Sequence, residues 1–447
     1  MGTPGYQPLW LARSHPLRES LYQELHNRPF PVVSGTVAVS HIAMLNEQVS
    51  VSQQLEVLAE LARQYSVSPP AAMASCYYQN FGEFEIRWEK HTEFSTYTVL
   101  LPVADGASFE QPALSLLPQR WLESIPGEFL VGVHVLVQPA QHETVSKESL
   151  KQNFEGQRLI GCQTPDRLAT VWTAFRLHND GFTRLLVLDH GLNACQTGRL
   201  IRNLVEIEAY RIMALMALPL ARDLGANVTR MDTELANIIH QIAEISNPDD
   251  ERRLLKYLTA LAGEVEKQRA NTNSRFEATR AYYKLVEERL SHFNRGEHLG
   301  VQSIPEFLER RFTPAIRTCE SLQSRLEDLS RRIGRAGELL STRVDLTLEE
   351  QNQRLLGSMN KRSKMQLRLQ QTVEGLSVAA ISYYMVGLLK YLLAPLYKSV
   401  DPYVAAVVTA FSVPVVVTGV WLLTKHVKKQ ITQKANNGSS AMDTDHK

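Results

Sequence analysis

Two long apolar segments stand near the C-terminal end of a chain that is otherwise a mixture of polar and apolar positions. Residues 376–396 contain one charged side chain, Lys390, and residues 403–423 contain none. An α-helix rises about 1.5 Å per residue, so each segment is long enough to cross a hydrocarbon core of about 30 Å. The pattern predicts two transmembrane helices. Two core helices of a soluble domain are the alternative interpretation.

The short connection between these segments, residues 397–402, carries the turn-forming pair Asp401-Pro402 and predicts an antiparallel hairpin. The sequences that flank the pair of apolar segments are basic, whereas in the connection the positive charge of Lys398 is balanced by the negative charge of Asp401. The basic residues are Lys361, Arg362, Lys364 and Arg368 before the first segment, and Lys425, Lys428, Lys429 and Lys434 after the second. The positive-inside rule then places both termini in the cytosol, with residues 425–447 as a cytosolic tail.

Within the predicted membrane hairpin, residues 372–424, Lys390 is the one charged residue of the two spans, 376–396 and 403–423. A lysine near the end of a span can extend its ammonium group to the interface. The other interpretation is a functional charge that faces a pore or a partner helix.

Residues 196–371 predict a helical region with a coiled-coil-like stalk. An apolar residue recurs at alternating spacings of four and three along Leu322, Leu326, Leu329, Ile333, Ala336 and Leu340. A second run starts with Leu254, Leu258, Leu261 and Val265 and resumes from Phe276 to Phe293. A turn at 294–303 separates the runs, which predicts an antiparallel helical hairpin. Each seam can instead pair with another subunit.

Residues 1–195 predict a mixed α/β domain, so that the whole chain falls in the α+β class. Alternating apolar and β-branched residues predict strands, and periodic apolar residues predict helices at 15–26 and 47–65. The predicted strands are 35–45, 72–81, 83–90, 93–101, 129–138, 172–177 and 182–190. Residues 197–222 then form one long helix, with Arg202–Glu206 and Glu208–Arg211 spaced as surface ion pairs.

The composition excludes several classes of protein. With 48 basic and 47 acidic residues the net charge is +1, which argues against a nucleic-acid binder. The four cysteines lie far apart and without a C-x-x-C pair, so neither a zinc site nor a disulfide framework is indicated. The N-terminal residues lack the pattern of a signal peptide. We expect no metal and no cofactor.

Two clusters of chemically able side chains lie in the N-terminal domain. One contains His15, Arg18, His26 and Arg28, and the other contains Arg87, Glu89, His91 and Glu93. Imidazoles beside carboxylates can exchange protons, and arginines can hold a phosphate or carboxylate. In the second cluster the four side chains alternate onto one face of a strand pair. A structural ion network, a ligand site and a catalytic site are all consistent with this pattern.

Several strings resemble a proteobacterial family of uncharacterised membrane-anchored proteins, a domain-of-unknown-function family. They are residues 15–18, 87–97, 206–211 with 217–219, and 371–378. The resemblance covers nearly the whole chain and implies a protein of the bacterial inner membrane. It implies no activity and no catalytic residues.

The layout is also similar to that of CorA-type divalent-cation channels, which place an α/β cytosolic domain before a stalk helix and two C-terminal spans. The Gly-Met-Asn signature expected at the outer end of the first span is absent, and Leu392-Leu393-Ala394-Pro395 stands near that place. The Lys390 charge would oppose a cation in a pore.

The function that the sequence favours is a membrane-anchored, cytosol-facing sensor, scaffold or docking module. An oligomeric CorA-like channel or transporter is the first alternative, and an enzyme using the His, Glu and Arg clusters is the second. The expected partners are the lipid bilayer, unidentified proteins and other copies of the chain, which would associate through the stalk and membrane helices. No nucleic acid is expected.

Overall fold

The computed structural model describes residues 13–19, 21–22, 31–140, 147–245, 247–293, 300–397 and 402–439. The chain divides into two compact units, Met1–Glu338 and Leu339–Lys447. The first unit contains a mixed sheet and several helices, and the second contains apolar helical segments. The predicted α+β class is confirmed.

Eight strands of the described residues form one sheet in the order β2-β3-β4-β1-β5-β8-β7-β6. All neighbouring strands are antiparallel except β5 and β8, which are parallel. The strands are β1 Val37–Leu45, β2 Cys76–Asn80, β3 Glu85–Lys90, β4 Phe94–Pro102, β5 Glu128–Pro139, β6 Ile160–Gln163, β7 Ala169–Thr173 and β8 Thr183–Asp189. Each predicted strand overlaps one of these, and β6 is an additional short edge strand.

Eight α-helices of the described residues accompany the sheet. They are α1 Val51–Gln64, α2 Gln119–Ser124, α3 Lys147–Asn153, α4 Ala194–Leu215, α5 Ala217–Glu244, α6 Pro248–Leu290, α7 Ile304–Tyr397 and α8 Pro402–Ser439. Capping boxes fix two of the starts, since Ser50 and Asn193 each exchange hydrogen bonds with the glutamine three residues later.

The two faces of the sheet carry separate apolar cores. Val37, Val39 and Ala43 of β1 point to one face, where helices α4, α6 and the start of α7 pack. Ile42 and Met44 point to the other face, where α1 packs with Trp88, Tyr97 and Trp121. The alternation of β1 therefore separates the two layers of the α/β region.

The long helix predicted at 197–222 is wrong, because α4 ends at Leu215 and α5 begins at Ala217. Proline lacks the amide hydrogen needed in a helix interior but is tolerated in the first turn, and Pro219 lies in the first turn of α5. The prediction of surface ion pairs here is also wrong, because Glu206 and Glu208 are buried.

The predicted two-arm helical hairpin is wrong in one respect, because a third helix joins it. The seam residues from Leu322 to Ala336 of α7 belong to one apolar cluster with Leu258, Leu261 and Val265 of α6. Residues of α5, including Val228, Met231 and Leu235, complete that cluster. This seam is therefore buried within the chain.

In the second unit, two described helices contain segments apolar and long enough to cross a membrane. One lies in Ile304–Leu392 and the other is Ala406–Val427. The large side chains of these segments are exposed, such as Tyr383 at 77% and Phe411 at 72%. Lys390 is exposed on α7. Of the predicted connection, residues 397–402, the central residues 398–401 lie outside the described residues.

Candidate functional site

A row of polar side chains crosses three strands on the sheet face that α4 covers. The strand register places Arg87 of β3 beside Thr98 of β4, and Thr98 beside His41 of β1. Glu89 follows two positions after Arg87, on the same face, because side chains alternate along a strand. The Arg87 Nη2 donates to Glu89 Oε1 at 2.7 Å, and the two side chains are only 5% and 11% exposed. A buried ion pair therefore lies on the sheet where an apolar core would be expected.

His41 is the innermost titratable group of this row. Its Nδ1 lies 2.7 Å from the Thr98 Oγ1 hydroxyl, whereas its Nε2 is buried and has no hydrogen-bond partner among the described residues. Burial above all, with the nearby His91 and Arg87, lowers the pKa of His41 to about 3 even though Glu206 acts in the opposite direction. The imidazole is therefore neutral at physiological pH.

Helix α4 supplies the opposite wall through residues spaced four apart. Arg202, Glu206 and Tyr210 follow one another along one face of the helix. Glu206 accepts from Arg202 Nε at 2.6 Å and from Arg289 Nε of α6, also at 2.6 Å. Burial alone would raise the pKa of Glu206, but the two guanidinium groups hold it below its ordinary value. One carboxylate thus links two helices through two arginines.

Between the strand row and α4 lies a cavity of about 20 Å³. His41, Arg87, Glu89, His91, Arg202 and Glu206 are among its lining residues. In the described part of the chain, the buried Arg87 Nε and His41 Nε2 have no hydrogen-bond partner. A cavity of this volume is large enough for one water molecule.

The turn after β3 is attached to α6 by Glu93. Both carboxylate oxygens of Glu93 accept from Arg275, at 3.1 and 3.0 Å, and Tyr282 Oη donates to it at 3.0 Å. His91 stacks on Phe94 with 4.3 Å between the ring centroids, and the edge of Tyr210 faces it. His91 thus lines the cavity, whereas Glu93 binds the hairpin to the helical layer.

An open cleft of about 510 Å³ adjoins the cavity and shares Arg202 and Glu206 with it. The cleft is bounded by the β6–β7 loop, by the first turns of α4 and by the end of α6. Its polar lining is Thr164, Asp166, Gln196, Arg199, Arg202, Asn203, Glu206, Arg289 and His292. Arg202 and Glu206 therefore line both the small cavity and the ligand-sized cleft.

The structure brings part of the predicted site together. Arg87, Glu89 and His91 line the cavity, but His15 and Arg18 line neither the cavity nor the cleft and are exposed. His26 and Arg28 lie outside the described residues. Arg87, which the sequence offered as a grip for a phosphate, is buried against Glu89 instead.

Sequence reasoning missed His41, Arg199 and Arg289. A signal for His41 was available, because it interrupts the apolar alternation of Val37, Val39 and Ala43 with a polar group. No comparable signal marked Arg199 of α4 or Arg289 of α6, which come together at the cleft only in the folded chain. Among the described residues no group of three or more His, Cys, Asp or Glu side chains is placed to hold a metal ion.

Comparison with known proteins gives one family. A family model described as "Protein of unknown function (DUF3422)" matches residues 13–431, so that the sheet, the long helices and the apolar helices all fall within it. No curated protein and no solved structure matches the chain. The resemblance to a domain-of-unknown-function family is thereby confirmed.

Proposed function

Since the chain belongs to the DUF3422 family of proteins of unknown function, we propose that it is a membrane-anchored sensor or docking module whose α/β unit faces the cytosol. The observation that carries the proposal is the contrast between its two units. The first unit buries its apolar residues in internal cores, whereas the second exposes an apolar surface on two helices. Large exposed apolar surfaces mark interaction sites, and helices of this length suit a bilayer.

The basic flanks support the orientation. Arginines and lysines precede the first apolar segment, and Lys425 and Lys429 follow the second, so the positive-inside rule favours both termini in the cytosol. Together with the family resemblance stated above, this supports the bacterial inner membrane as the location.

The buried ion cluster supports a sensing or docking role for the α/β unit. Arg202, Glu206 and Arg289 connect α4 to α6, and all three line the open cleft. A ligand or partner at the cleft would therefore contact charges that also hold two helices together. Such an arrangement couples binding to helix packing.

The anchor is tested by washing membranes that contain the full chain with alkaline carbonate. We expect wild type to stay in the membrane until detergent is added. Leu388→Arg in the first span with Val415→Arg in the second should release the chain into the wash, because each arginine costs about 3 kcal/mol inside a span. The matched control is Leu346→Arg with Leu355→Arg, two exposed positions of α7 before the apolar segment, which should leave retention unchanged. Release of wild type by carbonate would refute the anchor.

The orientation is tested through Cys195, which is exposed, in a Cys76→Ser background. The other two cysteines are buried. A membrane-impermeant maleimide should label Cys195 only after spheroplasts are opened. Labelling in intact spheroplasts would place the α/β unit outside the cytosol.

A further inference from the structure

The open cleft beside the buried cavity contains three guanidinium groups. Arg199 and Arg202 come from successive turns of α4, and Arg289 comes from α6. We infer that this cleft binds a small phosphate-bearing molecule, an assignment that rests on the proposed sensing function. The volume of about 510 Å³ lies within the range of small-molecule sites, and so a nucleotide-sized ligand fits.

The charges of the cleft favour an anion. Three arginines face two carboxylates, Asp166 and Glu206, which leaves one formal positive charge before His292 is counted. Asp166 is engaged within its own loop, because its Oδ1 accepts from Thr164 Oγ1 at 2.6 Å and from Leu168 N at 3.1 Å. Those hydrogen bonds lower the pKa of Asp166 and keep it ionised in that place.

Glu206 does not cancel the arginines around it. Its single carboxylate takes one hydrogen bond from Arg202 and one from Arg289, so that one negative charge faces two guanidinium groups. Arg289 Nη1 also lies 3.9 Å from Glu288 Oε2. Arg199 is exposed at the rim and has no ion pair among the described residues. Arg199 therefore gives the cleft a guanidinium group that forms no ion pair with the described residues.

A phosphate group matches this donor set better than a carboxylate does. It presents three terminal oxygens and up to about two negative charges, whereas a carboxylate presents two oxygens and one charge. The side-chain amides of Gln196 and Asn203 add neutral donors on the same helix. Guanidinium forks and amides together are a common means of binding phosphoryl oxygens.

Binding of a phosphate in the cleft would also affect the residues that line the cavity. Arg202 and Glu206 line both spaces, so a phosphate in the cleft competes with Glu206 for Arg202 and Arg289. The same competition weakens the contacts of Glu206 with Arg202 and Arg289, which connect α4 to α6. Binding of a ligand in the cleft would therefore change how these two helices pack.

The assignment is tested by titrating the full chain, in phosphatidylcholine nanodiscs at fixed ionic strength, with pyrophosphate and with succinate. We expect one pyrophosphate per chain in calorimetry and at least about tenfold weaker binding of succinate. Arg199→Glu should weaken pyrophosphate binding by about tenfold or more, since it removes a charge-assisted contact and adds repulsion. Arg176→Glu, at an exposed arginine outside the cleft, should change it less than about twofold.

The absence of heat with pyrophosphate would overturn the assignment, and so would an equal loss of binding in both variants. Nanodiscs that contain phosphatidic acid separate the two sources of a phosphate group. If that lipid weakens pyrophosphate binding by wild type, a lipid headgroup occupies the cleft and the assignment to a soluble molecule is wrong. Membrane retention in the carbonate wash does not depend on Arg199, so failure of this site and failure of the anchor are observed separately.

Discussion

His41 gives the folded chain a specific dependence on pH. Its pKa falls from 6.5 to about 3 on folding, mainly through burial, so the unfolded chain binds the extra proton between those values. Stability is therefore complete above pH 6.5 and falls as the pH falls, by about 1.4 kcal/mol per pH unit for this group. We expect His41→Asn to retain a partner for Thr98 but to remove this dependence on pH. Between pH 6.5 and about pH 5, the free energy of unfolding should therefore fall by about 2 kcal/mol less in His41→Asn than in wild type.

The measurement is urea unfolding of the full chain in mild detergent at a series of pH values, followed by tryptophan fluorescence. Buried Trp88 and Trp121 report on the sheet. His240→Asn is the control, because His240 is exposed on α5 and should leave the dependence on pH unchanged. Identical slopes for wild type and His41→Asn would mean that His41 is not buried as described.

Glu206 supports the fold through its two arginines. Glu206→Gln leaves Arg202 and Arg289 close together without the carboxylate, and we expect the free energy of unfolding to fall by about 3 kcal/mol. Arg230 and Glu234 form a pair with the same spacing of four, but both are about half exposed. Glu234→Gln should therefore change stability by less than about 1 kcal/mol. Equal effects in the two variants, measured by the same unfolding assay, would contradict the burial of Glu206.

At the scale of elements, Gly198 allows the segment before β1 to cross helix α4. A Cβ at this position would lie 1.7 Å from the carbonyl oxygen of Pro31, which is backbone and cannot move aside alone. The crossing is fixed by a hydrogen bond from Val33 N to Ala194 O at 3.1 Å. We expect Gly198→Ala to destabilise the chain by about 2 kcal/mol or more through overpacking.

Gly263→Ala is the matched control for Gly198→Ala, because Gly263 lies inside helix α6 with nothing within 4 Å of the added carbon. That substitution should be stabilising by about 0.5–1 kcal/mol, the difference in helix propensity. If Gly198→Ala and Gly263→Ala both raise the temperature of thermal unfolding, Pro31 does not approach Gly198 as closely as described.

The elements that sequence reasoning identified are those with a strong local pattern. Alternation identified β1, β3 and β4, and the heptad spacing of Leu322 to Ala336 identified a buried face of α7. Alternation did not identify β6, because a strand of four residues has too few positions to show an alternating pattern. Nor did the spacing determine which helices the seam contacts, since α5 presents an equally regular apolar face.

At the scale of the whole molecule, the site depended on contacts that no local pattern contains. The run from Arg87 to His91 revealed one side of the cavity, because these residues are neighbours in sequence. The opposite side comes from α4, and the adjoining cleft also takes Arg289 from α6. Arg202 and Arg289 meet at Glu206 although 83 positions separate Glu206 from Arg289. The sequence offered Glu206 as a surface pair because helical spacing does not show which face a sheet will cover.

The burial of the helical seam limits how copies of the chain can associate. A channel formed by two spans per chain requires a ring of several copies, because two helices alone do not enclose a pore. The seam from Leu322 to Ala336, one surface on which copies were expected to pair, is buried within the chain. Lys390 also adds a positive charge to the first apolar segment, which opposes cation conduction if it faces a pore. We therefore expect a monomer or dimer when the full chain is extracted in mild detergent and its native mass is measured. A single discrete pentamer or similar ring would contradict this expectation and make ion flux in proteoliposomes the next measurement.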